Sequence, residues 1–173
     1  MQRIVVVGTT GSGKTTMAGR LSDKLGIPHT ELDALNWGPN WTMRPPEVFL
    51  SAVEQATRGK TWVVDGNYSR SREIVWSRAD TIVWLDYPLW LILWRLWWRT
   101  LRRRVRQEEL WSGNRERLWT HFFTRDSLFL WALQTYNRRR REYPILLQEP
   151  GYAHLQVVRL RSPKMAEAWF ERL

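Results

Sequence analysis

The segment Gly8-Thr9-Thr10-Gly11-Ser12-Gly13-Lys14-Thr15, followed by Thr16, sets glycines, a lysine and a hydroxyl at the spacing G-x-x-x-x-G-K-[ST]. Each residue type has a task in gripping a polyphosphate. Glycines let the backbone wrap closely and turn its N–H groups inward, and a helix starting behind them adds its positive end. The lysine reaches the β and γ phosphates, and the hydroxyl of Thr15 supplies a magnesium ligand. The chemistry indicated is binding of ATP or GTP with Mg2+. Context strengthens the pattern. Ile4-Val5-Val6-Val7 reads as a short strand buried on both faces, and Met17, Leu21 and Leu25 recur at helical spacing until Gly26 and Pro28.

A magnesium ion held through water needs an acid near that hydroxyl, and two apolar runs end on one. TWVVD finishes on Asp65 and TIVWLD on Asp86. Asp65 is favoured, because Tyr87-Pro88 after Asp86 suits a residue that ends its strand or caps a helix.

These residues must be positioned by alternating strands and helices. Further strands are predicted up to about Leu32, over Thr61 to Val64, over Thr81 to Leu85 and over Gln156 to Leu160. Helices are predicted over Glu47 to Thr57, Leu89 to Arg106, Asp126 to Arg141 and Lys164 to Leu173, with 33–44 irregular. Alternation of this kind is an α/β sandwich, with the acids at the ligand-binding edge of a parallel sheet. A chain of 173 residues with no repeat forms one domain. The absence of cysteine excludes disulfides and thiolate metal sites, and three scattered histidines argue against zinc. The chain runs from Met1 straight into the apolar run and the glycine loop, so no targeting segment is expected ahead of the fold, and the expected location is the cytoplasm.

Two features are unusual, a net charge of +10 and 13 tryptophans. Both concentrate in WLILWRLWWRTLRRR, residues 90–104. On a helix, Arg95, Arg99, Arg102, Arg103 and Arg106 fall within an arc of roughly 100°, while Trp90, Trp94, Trp97, Leu101 and Val105 gather near the opposite side. The apolar run stops at Arg95, short of the roughly 20 residues a membrane span needs. The tryptophan face is expected to pack on the domain, leaving the arginines as a continuous basic stripe. Lying on a membrane surface is the competing reading.

In order along nearly the whole chain, GTTGSGKTT, ELDALNW, WVVDGNYSR, ADTIVWLDYP, RLWWRTLRRR and LRSP resemble the small P-loop kinases. The adenylate-kinase-like branch, whose members are often labelled DNA topology modulation proteins, is the most similar. The resemblance implies a three-layer sandwich around a five-stranded parallel sheet, with a helical, arginine-rich lid at about 95–125. It implies transfer of a phosphoryl group from MgATP to a small acceptor, with a nucleotide among the candidates. Asp33 would stand near the acceptor hydroxyl. Arg70, with Arg72 second, would hold an acceptor phosphate, although DGNYSR is one residue longer than the D-G-[FY]-P-R of adenylate kinases. Arg44 would bind an anionic group. Trp37 and Trp41 would stack on a planar acceptor or fill the core. Arg95 and Arg99 match the R-x-x-x-R that opens the lid, with Arg115 in or just after it, and one of Arg138, Arg139 and Arg140 would face the phosphates. Arg161, in LRSP, would lie by the adenine. A second function stays open: a regulatory ATP-binding protein that holds DNA through its basic surface. The sequence leaves the oligomeric state open.

Overall fold

The computed structural model describes residues 1–106 and 128–173, without the side chains of 103–106 and 128–129. Strands β1 (Arg3–Gly8), β2 (His29–Glu31), β3 (Trp62–Asp65), β4 (Thr81–Leu85) and β5 (Gln156–Leu160) form one sheet in the order β2-β3-β1-β4-β5. Every neighbouring pair is parallel. The alternation of side chains along a strand explains why β1 is apolar throughout. Ile4 and Val6 join Val63, Val83 and Leu85 on one face, while Val5 and Val7 join Val64, Ile82 and Trp84 on the other.

Helices cover both faces. Over the first lie α1 (Lys14–Leu25), α5 (Leu89–Arg106), α6 (Leu128–Leu146) and α7 (Pro163–Glu171), contributing Met17, Leu21, Ile92, Leu96, Ala132, Tyr136 and Ala166 to the core. Over the second lie α3 (Pro46–Ala56) and α4 (Arg72–Arg78), contributing Phe49, Val53, Val75 and Trp76, joined by Tyr143 from α6. This is the predicted three-layer α/β sandwich. Strand order reverses beside β1, so the carboxyl ends of β1 and β3 open on a crevice, the usual ligand position in such sheets.

Three differences from the sequence expectation have physical reasons. Residues Leu32–Asn36, from the expected end of a strand into the stretch expected to be irregular, form a short helix α2 that buries only Leu32 and Asn36, one turn apart. Its sequel closes on itself through an antiparallel bridge between Trp37 and Met43, with Asn40 and Trp41 at positive φ. Helix α4 has no counterpart in the expected elements: its seven residues bury only the adjacent pair Val75 and Trp76, too little to show a period. Helix α6 continues beyond Arg141 through Pro144, because Tyr143 is a core residue. Arg115 and most of the lid expected at about 95–125 lie outside the described residues.

The largest correction concerns α5. Its tryptophan face does not pack on the domain: Trp90, Trp94, Trp97, Trp98 and Leu101 are exposed, Trp90 by 70%. Trp94 and Trp98 stack on one another at 5.9 Å. The buried side is Ile92, Leu96 and Thr100. Apolar residues encircle the first turns of α5, so a helical wheel gives two faces without saying which is inside. The decision falls to Arg95 and Arg99, which must turn toward the crevice. Replacing Ile92 with Ala is therefore expected to cost about 2–5 kcal/mol in urea unfolding. Trp94→Gln should stay within about 0.5 kcal/mol of the parent. The opposite ranking would restore the tryptophan-inward orientation. Among the described residues no helix is long and apolar enough to cross a membrane.

Candidate active site

The glycine loop leaves β1 and turns under α5. Gly8 (φ 151) and Gly11 (φ 82) take backbone conformations that side chains rarely adopt. A Cβ on Gly11 would lie 2.6 Å from Leu96 Cγ, so only glycine lets the loop pass beneath this helix. Gly13 is the N-cap of α1 and offers no side chain to occupy the first N–H groups, which remain directed into the loop. The buried Ser12 Oγ has no hydrogen-bond partner among the described atoms. A cradle of glycines with an orphaned hydroxyl and a helix N-terminus fits a polyphosphate.

Lys14 is half-buried, and its Nζ reaches back to Thr9 O at 3.4 Å, a long contact for an ammonium. Burial, with Arg139 and Arg99 nearby, lowers its pKa from an ordinary 10.5 to about 8, against the opposing pull of Asp65 and Asp33. A bound polyphosphate would raise that value again, so metal-free ADP binding should take up a proton. The sign follows from linkage: affinity is full below about pH 8 and declines by up to tenfold per unit above it, until the pKa of the complex is passed. Calorimetric titration of ADP in EDTA from about pH 6.5 to about pH 9.5, a window that brackets this pKa, checks the point. Lys14→Met should bind weakly at every pH, and a flat wild-type profile would contradict it.

On the other side of the loop, Thr15 Oγ1 donates to Asp65 Oδ1 at 3.3 Å, and Asp65 Oδ2 meets His29 Nε2 at 2.8 Å. Asp65 is buried at the end of β3, in register with Val6 and Glu31. Hydroxyl and carboxylate thus converge, a pair suited to Mg2+, which takes one or two protein ligands and leaves the rest to phosphates and water. No group of three or more acids and histidines that would bind a metal without substrate occurs among the described residues. Asp86, the competing acid, is enclosed by two arginines. Arg140 Nε lies 2.7 Å from Oδ1, and Arg159 Nη2 lies 2.7 Å from Oδ2. Its charge is neutralised within the fold.

Cations close the cradle. Arg95 Nη1 donates to Ser12 O at 2.9 Å, and its guanidinium lies over the Tyr87 ring at 5.1 Å. Arg99, one turn further along α5, is near enough for its charge to depress Lys14. From α6 comes Arg139, 7% exposed, whose charge acts on Lys14 more strongly than any other. Its neighbours are engaged elsewhere: Arg138 lies 3.8 Å from Glu142 on the surface, and Arg140 pairs with Asp86 and Tyr136. Burial thus distinguishes three arginines that the sequence could not separate.

Asp33 lies on α2, close enough to be felt at Lys14. Tyr68 donates to its Oδ1 at 2.5 Å, and burial together with that carboxylate holds the phenol well above its ordinary pKa. Arg70 donates to the buried Asn36 Oδ1 and lies over the Phe49 ring at 4.2 Å. Arg44 is half-buried, its backbone N–H bonded to Asn36 O. Trp37 and Trp41 meet edge to face at 5.8 Å. Arg72 instead lies over Trp76, on the far side of the sheet from the loop helix α1. Arg161 is exposed after β5 and has no described contact with the loop, while Ser162 caps α7. Of the loop threonines, Thr9 is buried and Thr16 exposed.

Asn67 is a site residue that the sequence reading misses. Its side chain brackets the first loop glycine, accepting from Gly8 N at 3.1 Å and donating to Gly8 O at 2.6 Å. The available signal is the length of DGNYSR, one residue more than the pattern it resembles.

No protein-family model matches the chain, and no curated protein matches it. Solved structures do. A shikimate kinase from Acinetobacter baumannii in complex with shikimate is similar over 99% of this chain and 90% of its own, with TM-score 0.58 and 17% identity. The shikimate kinase of Aquifex aeolicus covers 98% and 92% at TM-score 0.55 and 16% identity. A gluconokinase from Sinorhizobium meliloti covers 99% and 92% at TM-score 0.54 and 19% identity. At such identities the likeness is one of fold, the architecture that these three kinases share.

Proposed function

We propose that the protein is an ATP-dependent phosphotransferase that moves the γ-phosphoryl group of MgATP to a hydroxyl of a small acceptor. The observation that carries this reading is the convergence on one loop of Lys14, crowded by Arg139 and Arg99, with the Thr15–Asp65 pair beside it. Mutual repulsion among these crowded cations is a cost that a polyphosphate relieves. Magnesium, when bound, would neutralise phosphate charge, held by Thr15 and, through water, by Asp65. The chain itself supplies the rest. Lys14, Arg95, Arg99 and Arg139 stabilise negative charge spreading over the transferred group.

Asp33 supports an alcohol as the acceptor. A hydroxyl loses a proton on phosphorylation, and a carboxylate near Lys14 whose Oδ1 is fixed by Tyr68 can take that proton on Oδ2. A nucleoside monophosphate attacks through an oxygen already deprotonated, and an anion beside Asp33 would be repelled. Arg70 and Arg44 suit an anionic group elsewhere on the acceptor. The names of the structural relatives, shikimate kinase and gluconokinase, agree with a small hydroxy acid. ADP release with MgATP should be stimulated by a member of a panel of hydroxy acids, polyols and nucleoside monophosphates. Stimulation by none would remove the main support for transfer.

The DNA reading has less behind it. Arg138 and Arg140 make internal ion pairs and Arg139 is buried, so that run offers little free charge to a duplex.

A further inference from the structure

The phosphoryl site contains one device that neither the loop motif nor the alcohol reading requires, and it joins four residues from three parts of the chain. The N–H of Gly8 can only donate and its C=O can only accept, so the amide of Asn67 has one satisfactory orientation, with Oδ1 to Gly8 N and Nδ2 to Gly8 O. Oδ1 therefore accepts, and Tyr143, 3.1 Å away, must donate its hydroxyl proton to it. The lone pairs of that hydroxyl are left for Arg139, one turn earlier on α6 and close enough for the two side chains to act on one another, while Arg139 Nη1 itself donates to Thr135 Oγ1 at 3.2 Å. Gly8 thus fixes the orientation of Asn67, and Asn67 that of the Tyr143 hydroxyl. Tyr143 is itself immobilised by edge-to-face contacts with Trp76 at 5.6 Å and Trp84 at 5.3 Å.

We propose that Asn67 and Tyr143 are positioning residues that couple the first loop glycine to the orientation of Arg139 over the transferred phosphoryl group. Asn67 is the extra residue of DGNYSR, so the added length provides the link between loop and α6. Neither residue touches substrate. They act by fixing a buried cation in the direction where charge develops, which matters more in the transition state than in the ground state. The proposal rests on the phosphotransfer reading above.

The test uses the full chain, with MgADP titrated alone and then with aluminium fluoride, which mimics the phosphoryl group in flight. Tyr143→Phe keeps both ring contacts and removes only the hydroxyl. It should bind MgADP within about twofold of wild type and lose about tenfold of the fluoride-dependent tightening. Asn67→Ala should lose the same tightening and weaken MgADP as well, because Gly8 is no longer bracketed. Full tightening in Tyr143→Phe would overturn the relay alone. So would a parallel loss of both affinities accompanied by a fall in Tm, which would make the hydroxyl merely structural. Absence of tightening in the wild type would instead overturn the phosphotransfer reading on which the relay stands.

Discussion

Lys14→Met is expected to reduce acceptor phosphorylation by about 10³-fold, since it removes a preorganised cation from the charge-developing centre. The same change should leave the fold intact and stabilise it. The reason is the sign of the lysine's shift. Its pKa in the folded chain lies below the ordinary 10.5, at about 8, so between those values the unfolded chain binds more protons than the folded one. Stability therefore rises as pH climbs from about 8 to 10.5, and the cost of the buried charge is fully present below 8. A neutral residue of similar length avoids that cost near neutral pH. Thermal unfolding of both proteins at about pH 7 and about pH 10, on either side of the lowered pKa, checks the point. The substitution should raise Tm under the first condition, and the difference from wild type should shrink under the second. A variant that loses activity because it unfolds would contradict the assignment of Lys14 as a group held at the expense of stability.

Asp33→Asn is the second large effect. The amide preserves shape and can still accept the Tyr68 hydrogen bond at 2.5 Å, but it cannot take a proton. Transfer to an alcohol should fall by about 10²–10⁴-fold, the usual range for a lost general base, with ATP affinity nearly unchanged. Losing a negative charge beside Lys14 also removes one of the two carboxylates that raise the lysine's pKa. Nucleotide affinity in Asp33→Asn should consequently decline with pH at a lower pH than in wild type. Kinetics with saturating MgATP separate the two consequences. If Asp33→Asn retains wild-type turnover, the carboxylate only positions α2 and Tyr68.

These residues are visible in the sequence to different degrees. The loop and Asp65 are legible because each couples a fixed spacing to a buried strand, as in Gly8 to Thr15 after Ile4–Val7. The bounds of β4 and β5 and the start of α5 are legible because their runs are set off by charged or breaking residues. Short elements that bury only a pair of residues, α2 and α4, carry no period to read. The orientation of α5 is misjudged from sequence because both sides of its first turns are apolar, and tryptophan outnumbers the isoleucine and leucine that are buried. Burial is a property of the partner surface, which a single helix does not encode. The same holds for Arg138, Arg139 and Arg140, equivalent in sequence yet pointing about 100° apart around one helical turn: Glu142 takes the first, Asp86 the last, and the crevice the middle one. Asn67 is detectable only as a misfit to the shorter D-G-[FY]-P-R spacing, and its hydrogen bonds to Gly8 give that misfit a physical purpose.

The central claim, transfer of a phosphoryl group to an alcohol oxygen near Asp33, is tested most directly by 31P NMR of the protein with MgATP and the acceptor that stimulates ADP release. The γ-phosphate signal is expected to be replaced by a phosphate monoester resonance, and Asp33→Asn to slow its appearance. A new diphosphate resonance on a nucleotide acceptor, or inorganic phosphate alone, would contradict it.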